Sequence, residues 1–392
     1  MNIPIRQMDA YDVIVVGGGI AGISASVSAA RLGKSVLLIE KSINLGGLAT
    51  AGLINWYEPL CDGTGSQRLG GMAEELLRLA VKFGFDNLPK KWHGQSNNQP
   101  RNNRFSTYYS PTFFSLALDE FVEESGAHIL YDTLATYPVM NKKLCLGIIT
   151  ENIDGRCFYP AKVVIDTTGD ASIFVRAGAK TQEFNNFLTY IVHETDYENT
   201  KNYIESHDLC KLRRWKNCGS DYLGNGHPKG MKLWHGTTCN ELNEFIKQGK
   251  KRMLKTYDGT DKNSRDILSL PTIPQLRVIR RIIGEYTFDG LDNTLIFPDT
   301  IGNASDFRKR GVYYSIPYRC LYSSAFPNLI AAGRIVSAVG DGMEILRVIP
   351  CCALTGQAAG VAATIAIEDN LSIKNISYSK LRNKLENSNV IF

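Results

Sequence analysis

The sequence feature that most constrains the fold is a glycine-rich turn close to residue 20. Residues 11–16 form an apolar run, Gly17, Gly19 and Gly22 follow with the spacing GxGxxG, and a stretch of small residues leads to a second apolar run at 35–39. This order predicts a strand, a tight turn, a helix and a second strand, as in a Rossmann-like unit. The free amides and partial positive charge at the start of such a helix bind a pyrophosphate, so the sequence predicts a dinucleotide site.

Each glycine of the turn has a different predicted role. Gly17 permits the sharp turn, Gly19 lets the main chain approach a pyrophosphate, and Gly22 allows the helix to pack closely on the strand. The residues of the turn that are expected to contact the dinucleotide are Gly17, Gly18, Gly19, Ile20, Ala21 and Gly22.

An acid ends the second strand. Glu40, followed by Lys41, lies near the interval of about 20 residues at which an acid reaches the ribose hydroxyls, and both are expected to contact the dinucleotide. Since an acid at this place disfavours a 2′-phosphate, the sequence predicts a ligand other than NADP.

Composition favours an intracellular globular protein. The chain has 392 residues, 44% of them hydrophobic, which is enough to bury a large core. Residues 1–10 lack the pattern of a secretory signal, and the nine cysteines are scattered, so we expect a reducing cytoplasm. Residues 13–30 approach the length of a membrane span, but three adjacent glycines and the following Arg31 favour a buried strand and helix, and no transmembrane segment is expected.

Charge and spacing argue against nucleic-acid and metal sites. The net charge of +5 is mild for this length, and we interpret the basic run 211–216 as a solvated surface. The six histidines never fall at ligand spacing, and the sequence has no CxxC, so neither a metal site nor a dithiol relay is expected.

The remaining pattern predicts an α/β fold with an insertion. Residues 70–84 and 111–126 have helical periodicity, 128–160 predict a three-stranded antiparallel meander, and 161–166 predict a buried strand. A Rossmann-like domain is predicted from residues 1–88, 105–180 and 325–392, with an α+β substrate domain inserted at 181–324. The Pro- and Asn-rich stretch 89–103 is predicted to be a loop or lid.

Several later blocks match one family when they are taken together with the first unit. These blocks are 45–50, 166–170, 277–284, 315–319, 332–334 and 347–360. In their order and spacing the chain resembles the FAD dependent oxidoreductases, flavoproteins of the glutathione-reductase-like fold. The resemblance implies FAD as the cofactor.

Each block then has an expected position along the cofactor. A second Gly-Gly pair lets backbone amides approach the pyrophosphate or flavin, and a helix opened by residues 356–360 would stabilise the reduced flavin through its dipole. Where many relatives carry Ala-Gly-Asp, this chain has Ala-Gly-Arg at 332–334, so Asp341 is the candidate for the ribityl hydroxyls. The cofactor residues expected from these blocks are Gly46, Gly47, Leu48, Ala49, Thr50, Thr168, Gly169, Gly333, Arg334, Asp341, Gly356, Gln357 and Gly360.

Arginines and histidines are the candidates for catalysis. Arg347 precedes the helix expected at the flavin, while Arg277 and Arg281 have helical spacing; either an anion clamp or structural ion pairs would explain them. His235 and His193 are candidate proton-transfer groups, with structural roles as the alternative. The predicted catalytic set is Arg347, His235 and Arg281.

Aromatic and cysteine residues near the same blocks allow two interpretations each. Tyr313, Tyr314 and Tyr318 line the site or pack in the core. Cys351 and Cys352 precede the expected helix, whose dipole would lower a thiol pKa and permit a redox or covalent role; the alternative is packing in a tight space.

The predicted function is hydride transfer between a small polar or anionic metabolite and flavin N5. No second GxGxxG follows a strand, so a dedicated NAD(P)H domain is not expected. Electrons are expected to pass from the substrate to oxygen, a quinone or a carrier protein, unless the direction is reversed. Two alternatives stay open: a flavin-dependent monooxygenase, and a non-catalytic binding protein of the same fold. A homodimer is expected only by analogy, and neither nucleic acid nor membrane is an expected partner.

Overall fold

The computed structural model describes residues 4–88 and 104–392, so the loop or lid expected at 89–103 lies outside the described residues. The helices are α1 (Ile20–Arg31), α2 (Met72–Ala80), α3 (Pro111–Glu124), α4 (Ser172–Arg176), α5 (Tyr197–Ser206), α6 (Cys239–Thr256), α7 (Gly340–Leu346), α8 (Ile349–Glu368) and α9 (Tyr378–Asn387). The strands before the inserted region are β1 (Arg6–Gln7), β2 (Tyr11–Val16), β3 (Val36–Ile39), β4 (Trp56–Tyr57), β5 (Thr107–Tyr108), β6 (His128–Leu130), β7 (Leu134–Asn141), β8 (Leu144–Asn152) and β9 (Gly155–Asp166). Those that follow are β10 (Thr181–Glu183), β11 (Ile191–Asp196), β12 (Arg214–Asn217), β13 (Arg265–Ser269), β14 (Arg280–Ile282), β15 (Thr300–Ser305), β16 (Tyr313–Pro317) and β17 (Leu329–Ala331).

A parallel sheet with the order β6-β3-β2-β9-β17 forms the centre of the fold. Alternate residues of β2 enter two different buried clusters: Val13 and Val15 face one, and Ile14 and Val16 face the other. Both faces of the sheet are therefore covered, which explains why its strands read as continuous apolar runs. The mixed α/β fold with a parallel core is confirmed, and the carboxyl ends of β2, β9 and β17 meet at one edge.

The meander differs in detail from its prediction. It consists of β7, β8 and the first half of β9, whereas β6 pairs in parallel with β3 in the central sheet. The strand predicted at 161–166 is the second half of β9, because Pro160 does not end the strand. At Pro160 the partner changes from β8 to β2, so the missing N–H of proline falls where the strand leaves one ladder for the other.

Helices α1 and α8 pack at very short range on one face of the sheet. A Cβ at Gly356 would overlap the carbonyl oxygen of Ala21, and one at Gly360 would overlap that of Ala25. The expectation that Gly356 to Gly360 open a helix is therefore wrong: the helix begins at Ile349, and these glycines lie in its middle. Among the described residues, α8 alone is long and apolar enough to cross a membrane, and its apolar window is entirely buried within the fold.

The inserted region contains an antiparallel sheet with the order β12-β11-β13, in which α5 connects β11 to β12 and α6 connects β12 to β13. The helix expected from the spacing of Arg277 and Arg281 is wrong, because Arg280 and Arg281 lie on β14, which pairs with β10. The pairing of β14 with β10 thus determines the structure here, although the spacing of the arginines alone would fit a helix. Residues of β15 and β16 share a buried cluster with α8, and the exact domain boundaries stay a prediction.

Candidate functional site

Two glycines of the first turn are required by the protein itself. Gly17 has a φ of +104°, and a Cβ there would lie 2.8 Å from the carbonyl oxygen of Thr167, the residue that follows β9. A Cβ at Gly22 would overlap the carbonyl oxygen of Gly17. Both positions therefore need glycine for the turn and for the approach of α1 to β2, as predicted.

Gly19 differs from its two neighbours in the motif. It precedes α1 with an ordinary φ of −72°, and a Cβ there would meet nothing within 4 Å. No side chain caps the helix at this residue, and the first amides of a helix have no partner inside it. The protein leaves open space in front of free N–H donors, which fits a pyrophosphate.

Glu40 is buried beside the turn. Its carboxylate accepts a hydrogen bond of 2.6 Å from the amide of Gly18 and one of 2.8 Å from the amide of Ser42. A carboxylate has about four lone-pair sites, so ribose hydroxyls still find acceptors here. Lys41, by contrast, is exposed.

The second glycine pair lies against the first turn. The amide of Gly46 donates to the carbonyl of Gly18 at 2.8 Å, and a Cβ at Gly47 would lie 3.2 Å from the Cα of Gly19. Both residues have positive φ, and Thr50 holds the loop by donating to the carbonyl of Leu45. Leu48 and Ala49 belong to the short helical turn Gly47–Ala49. Because Gly47 lies against Gly19, the segment 46–50 borders the open space in front of Gly19.

Arg334 connects the end of β9 with the inserted region. Its guanidinium lies against Gly169, whose φ is +78°, and Nη1 donates to the carbonyls of Leu276 and Arg277 at 2.7 and 2.9 Å. Burial lowers the pKa of Arg334. Thr168 donates to Asp166 at 2.7 Å and so fixes the turn that carries Gly169.

The neighbouring cofactor candidates have other partners. The amide of Gly333 donates to Thr355 Oγ1 at 3.0 Å, which ties the turn to α8. Asp341, the candidate for the ribityl hydroxyls, pairs with Arg308 at 2.8 Å. Gln357 accepts from the amide of Met72 at 3.0 Å inside the core.

The N-terminus of α8 carries an acid that the sequence analysis missed. Glu58 accepts a hydrogen bond of 3.1 Å from the amide of Ile349, the first residue of the helix. Burial raises the pKa of Glu58 to about 7, against the opposing effects of its hydrogen bonds and of nearby Arg347. Its only signal in the sequence is an acid within the apolar stretch 56–60.

Arg277, Arg334 and Arg347 form a cluster that we call the arginine cluster. Arg277 borders a cleft of about 230 Å³ that is also lined by Phe184, Phe187, Tyr222, Met343 and Glu344. The pKa of Arg277 is lowered to about 10 by burial and by the charge of Arg347, which also acts on the pKa of Arg334. Three cations therefore lie near one another, and one of them, Arg277, lines the cleft.

The arginine cluster has few carboxylate partners. Arg347 pairs with Glu344, and within residues 4–88 and 104–392 its buried Nε has no hydrogen-bond partner. Arg277 donates to main-chain oxygens of Ser220 and Asp221, at 3.2 and 2.7 Å. The arrangement is able to receive an anion.

Two of the predicted catalytic residues lie elsewhere. Arg281 is buried and donates to Gln182 and Ser337, so it connects β14 with its surroundings. His235 is 44% exposed and lies 3.6 Å from Glu241 in the first turn of α6. Neither lines the cleft, because strand pairing directs Arg281 to Gln182 and the start of α6 fixes His235 at the surface.

Cys351 and Cys352 lie buried in the first turn of α8. Burial raises the pKa of Cys352 to about 12 and that of Cys351 well above its ordinary value. The expectation of a lowered thiol pKa is wrong, because desolvation outweighs the helix dipole. Tyr314 and Tyr318 are buried as well, and the hydroxyl of Tyr318 donates to the carbonyl of Ile373.

His193 lies between the inserted sheet and the loop after Thr50, and burial and the charge of Arg213 lower its pKa. His193, on β11, is fully buried with Nε2 3.1 Å from the carbonyl of Leu53. Arg213 belongs to the basic run expected to be solvated, but burial lowers its pKa. No group of three or more His, Cys, Asp or Glu that could hold a metal occurs in the described part of the chain.

Relatives with known names match only short parts of this chain. NADH:acrylate oxidoreductase of Vibrio harveyi is 43% identical over 74 residues, 18% of this chain and 7% of that protein. The tRNA uridine 5-carboxymethylaminomethyl modification enzyme MnmG of Bacillus mycoides is 28% identical over 164 residues, 41% of this chain and 24% of that protein. The matched segments thus span less than a third of these relatives.

Solved structures align over more of the chain at lower identity. A geranylgeranyl bacteriochlorophyll reductase-like protein from Thermoplasma acidophilum is 15% identical with a TM-score of 0.47, covering 97% of this chain and 83% of that one. L-proline dehydrogenase from P. horikoshii is 12% identical with a TM-score of 0.43, covering 100% of both chains.

One family matches nearly the whole sequence. The family described as FAD dependent oxidoreductase matches residues 12–186 and 194–385, which include the glycine turn, Glu40 and α8. The geometry of the turn agrees with this match, since Gly19 faces open space beside free helix amides. The chain therefore belongs to the FAD dependent oxidoreductase family, and FAD is its cofactor.

Proposed function

We propose that this protein transfers a hydride between a small carboxylate-bearing metabolite and its flavin. The observation that carries this proposal is the arginine cluster, of which Arg277 lines the cleft and Arg347 acts on the pKa of both Arg277 and Arg334. Guanidinium groups recognise carboxylates by paired hydrogen bonds, and like charges held together out of water gain stability when an anion binds.

The cofactor would lie along the edge where β2, β9 and β17 end. Gly19 and the first amides of α1 would hold the pyrophosphate, Glu40 the adenosine ribose, and the segment 46–50 the part nearer the flavin. This is the arrangement expected of a glutathione-reductase-like fold, which we propose as the finer classification. Bound FAD supplies a two-electron acceptor at N5.

The protein's own residues would orient the substrate. Arg277 lines the cleft from the inserted region, and Arg347, which follows α7, pairs with Glu344 at the wall of the same cleft. An anion between them would be held from both domains, and the apolar walls formed by Phe184, Phe187 and Met343 would exclude water.

Two further proposals concern the setting of the reaction. We propose a cytoplasmic protein, because the nine cysteines, all within the described residues, form no disulfide, as in a reducing compartment. We also propose that the electrons pass to an acceptor other than a nicotinamide nucleotide held in its own domain, because the glycines at 224–230 follow the antiparallel strand β12 only after a turn and do not open a helix.

The test compares charged and neutral substrates. Purified protein is stripped of oxygen and mixed with small hydroxy- and amino-carboxylates and with their amides, and flavin bleaching is followed at ~450 nm. We expect the carboxylates to bind and bleach the flavin, and Arg277→Met to weaken their binding by about 10- to 100-fold, as for loss of one charged hydrogen-bonding partner.

Arg252 offers a matched control. It is also a half-buried arginine that donates to a main-chain carbonyl, that of Cys218, but it lies on α6 outside the cleft. Arg252→Met should leave carboxylate binding unchanged. Equal binding of acids and amides, or equal losses in both variants, would contradict the proposal.

A further inference from the structure

The cleft beside Arg277 carries one charge of each sign on its walls. Among the described residues that line it, Arg277 and Glu344 are the charged ones. Arg277 lies on the segment that leads to β14, whereas Glu344 lies on α7, so the two charges come from distant parts of the chain. Walls that present a cation and a carboxylate are complementary to a ligand that carries both charges itself.

Arg277 and Glu344 are near neighbours that do not neutralise each other. Burial and the charge of Arg347 lower the pKa of Arg277 to about 10, and the charge of Glu344 opposes them. In the described part of the chain, however, the guanidinium donates to main-chain oxygens of Ser220 and Asp221, and the carboxylate pairs with Arg347. The two opposite charges therefore line one cleft without being paired with each other.

Both side chains keep hydrogen-bonding capacity for a ligand. A guanidinium has five N–H donors, and the described residues accept one bond from Nη1 and one from Nη2 of Arg277. Glu344 accepts from Arg347 through Oε2, and its Oε1 has no hydrogen-bond partner among the described residues. Since the side chain of Glu344 is 28% exposed, its carboxylate is accessible from the cleft.

Both groups are also held in position by residues behind them. The amide of Arg277 donates to Asn186 at 3.0 Å, and its carbonyl accepts from Arg334 at 2.9 Å. Arg347 holds the carboxylate of Glu344 three residues earlier. Groups that are fixed before binding lose little conformational freedom when a ligand arrives, so the two charges are preorganised.

The rest of the lining limits the size and polarity of the ligand. Phe184, Phe187, Val278 and Met343 contribute apolar side chains. The cleft has a volume of about 230 Å³, whereas sites for drug-sized ligands have about 300–1,000 Å³. A further charge on the ligand would lose its water against the apolar walls without gaining a partner. The cleft thus suits one small molecule with an apolar body and two opposite charges.

We propose that the cleft binds an amino acid with an apolar side chain, with its carboxylate on Arg277 and its ammonium group on Oε1 of Glu344. This inference rests on the proposed function, because it names the substrate class of the same cleft. The ammonium and carboxylate groups of an amino acid are bonded to one carbon atom, so a single molecule reaches both walls. A hydroxy acid of the same shape offers Glu344 a neutral hydroxyl and loses the attraction between opposite charges.

Calorimetric titration of the FAD-containing protein tests the assignment with ligands of nearly one shape. The ligands are both enantiomers of leucine, the hydroxy acid in which a hydroxyl replaces the amino group of leucine, and aspartate. We expect one enantiomer of leucine to bind about 10- to 100-fold more tightly than the hydroxy acid, as for one hydrogen bond between charged groups. Aspartate, whose side chain adds a charge, should bind at least about 10-fold more weakly than leucine.

Substitutions of Glu344 test the position of the ammonium group. Glu344→Gln should bind leucine no more tightly than the hydroxy acid, whose own affinity should change by less than about 3-fold. Glu344→Asp keeps the charge and should keep part of the preference. Glu74 is the matched control, because it pairs with Arg78 at 2.6 Å, its side chain is also 28% exposed, and it lies on α2 outside the cleft. Glu74→Gln should leave both affinities unchanged.

The outcomes distinguish this inference from the proposed function. Equal binding of leucine and its hydroxy acid by the wild type, or a preference that survives in Glu344→Gln, would overturn the assignment of the ammonium group and leave a carboxylate site at Arg277. Equal affinities for aspartate and leucine would overturn the assignment of an apolar side chain. If neither leucine nor the hydroxy acid binds, the proposed function fails together with this inference. Leucine that binds with the expected preference but leaves the flavin oxidised would support the site and contradict hydride transfer.

Discussion

Gly19 is a single residue whose surroundings indicate where a ligand binds. Most glycines that border the site have a positive φ or would clash if they carried a Cβ, whereas Gly19 has neither restriction. The fold does not need glycine there, and we attribute the glycine to the cofactor, whose pyrophosphate would occupy this open space. This residue is therefore the sharpest position at which to test the site.

Gly19→Ala should leave stability to urea within about 0.5 kcal/mol of the wild type but weaken FAD binding, and Gly19→Glu should abolish FAD retention by filling the place of the pyrophosphate. Binding is measured by fluorescence titration of stripped protein. Gly22→Ala is the contrasting control: it should destabilise the fold, because its Cβ would overlap Gly17. Full flavin content in Gly19→Glu would refute the placement.

Glu58 makes stability depend on pH. Its folded pKa of about 7 lies above that of an unfolded glutamate, so its contribution is full at low pH and is lost as pH rises toward and through 7, by up to about 3 kcal/mol. Glu58→Gln keeps an acceptor for Ile349. In FAD-free protein we expect it to stabilise at pH 8 and to have little effect at pH 5, as measured by urea unfolding; equal effects at both pH values would contradict this pKa.

The residues that sequence could and could not place follow a physical pattern. The turn and Glu40 were predictable because their roles depend on local backbone geometry. Glu58 and Arg213 were missed because their properties come from burial by segments distant in sequence. The same reason explains the raised pKa of Cys352, which local helix position alone would have lowered.

At the scale of elements, the packing of α1 on α8 corrects the interpretation of the late glycines. The resemblance predicts a helix in this part of the chain, but only the tertiary contact shows that Gly356 and Gly360 leave room for the carbonyl oxygens of Ala21 and Ala25. The same is true of the strand at Arg280 and Arg281. The spacing of this short polar segment fits a helix equally well, and its pairing with β10 determines that it is a strand.

Gly356→Ala tests the helix contact by the sign of its effect. Inside a helix this change ordinarily stabilises by about 0.5–1 kcal/mol. Here the added Cβ would overlap the carbonyl oxygen of Ala21, so we expect a loss of about 1–3 kcal/mol. Urea unfolding gives the value, and a gain in stability would show that α1 and α8 are not in such close contact.

At the scale of the whole molecule, the cofactor should act as a stabilising ligand for the fold. FAD would touch α1, the segment 46–50 and the end of β9, which belong to distant parts of the chain. At 100 times its dissociation constant, a ligand bound only by the folded state adds about 2.7 kcal/mol. Thermal unfolding with and without FAD should show the increase, and Glu40→Ala should reduce it; an unchanged melting temperature in saturating FAD would argue against this site.

The contact between α1 and α8 also determines when this protein can mature during synthesis. The residues of α1 are buried from Ile20 to Ala29, and much of that burial is against a helix that begins only at Ile349. While the intervening chain is being translated, the part of this apolar surface that faces α8 has no native partner, which is the situation that favours chaperone binding and aggregation. The glycine turn emerges early, but the folded site around it must wait for the last helices to leave the ribosome.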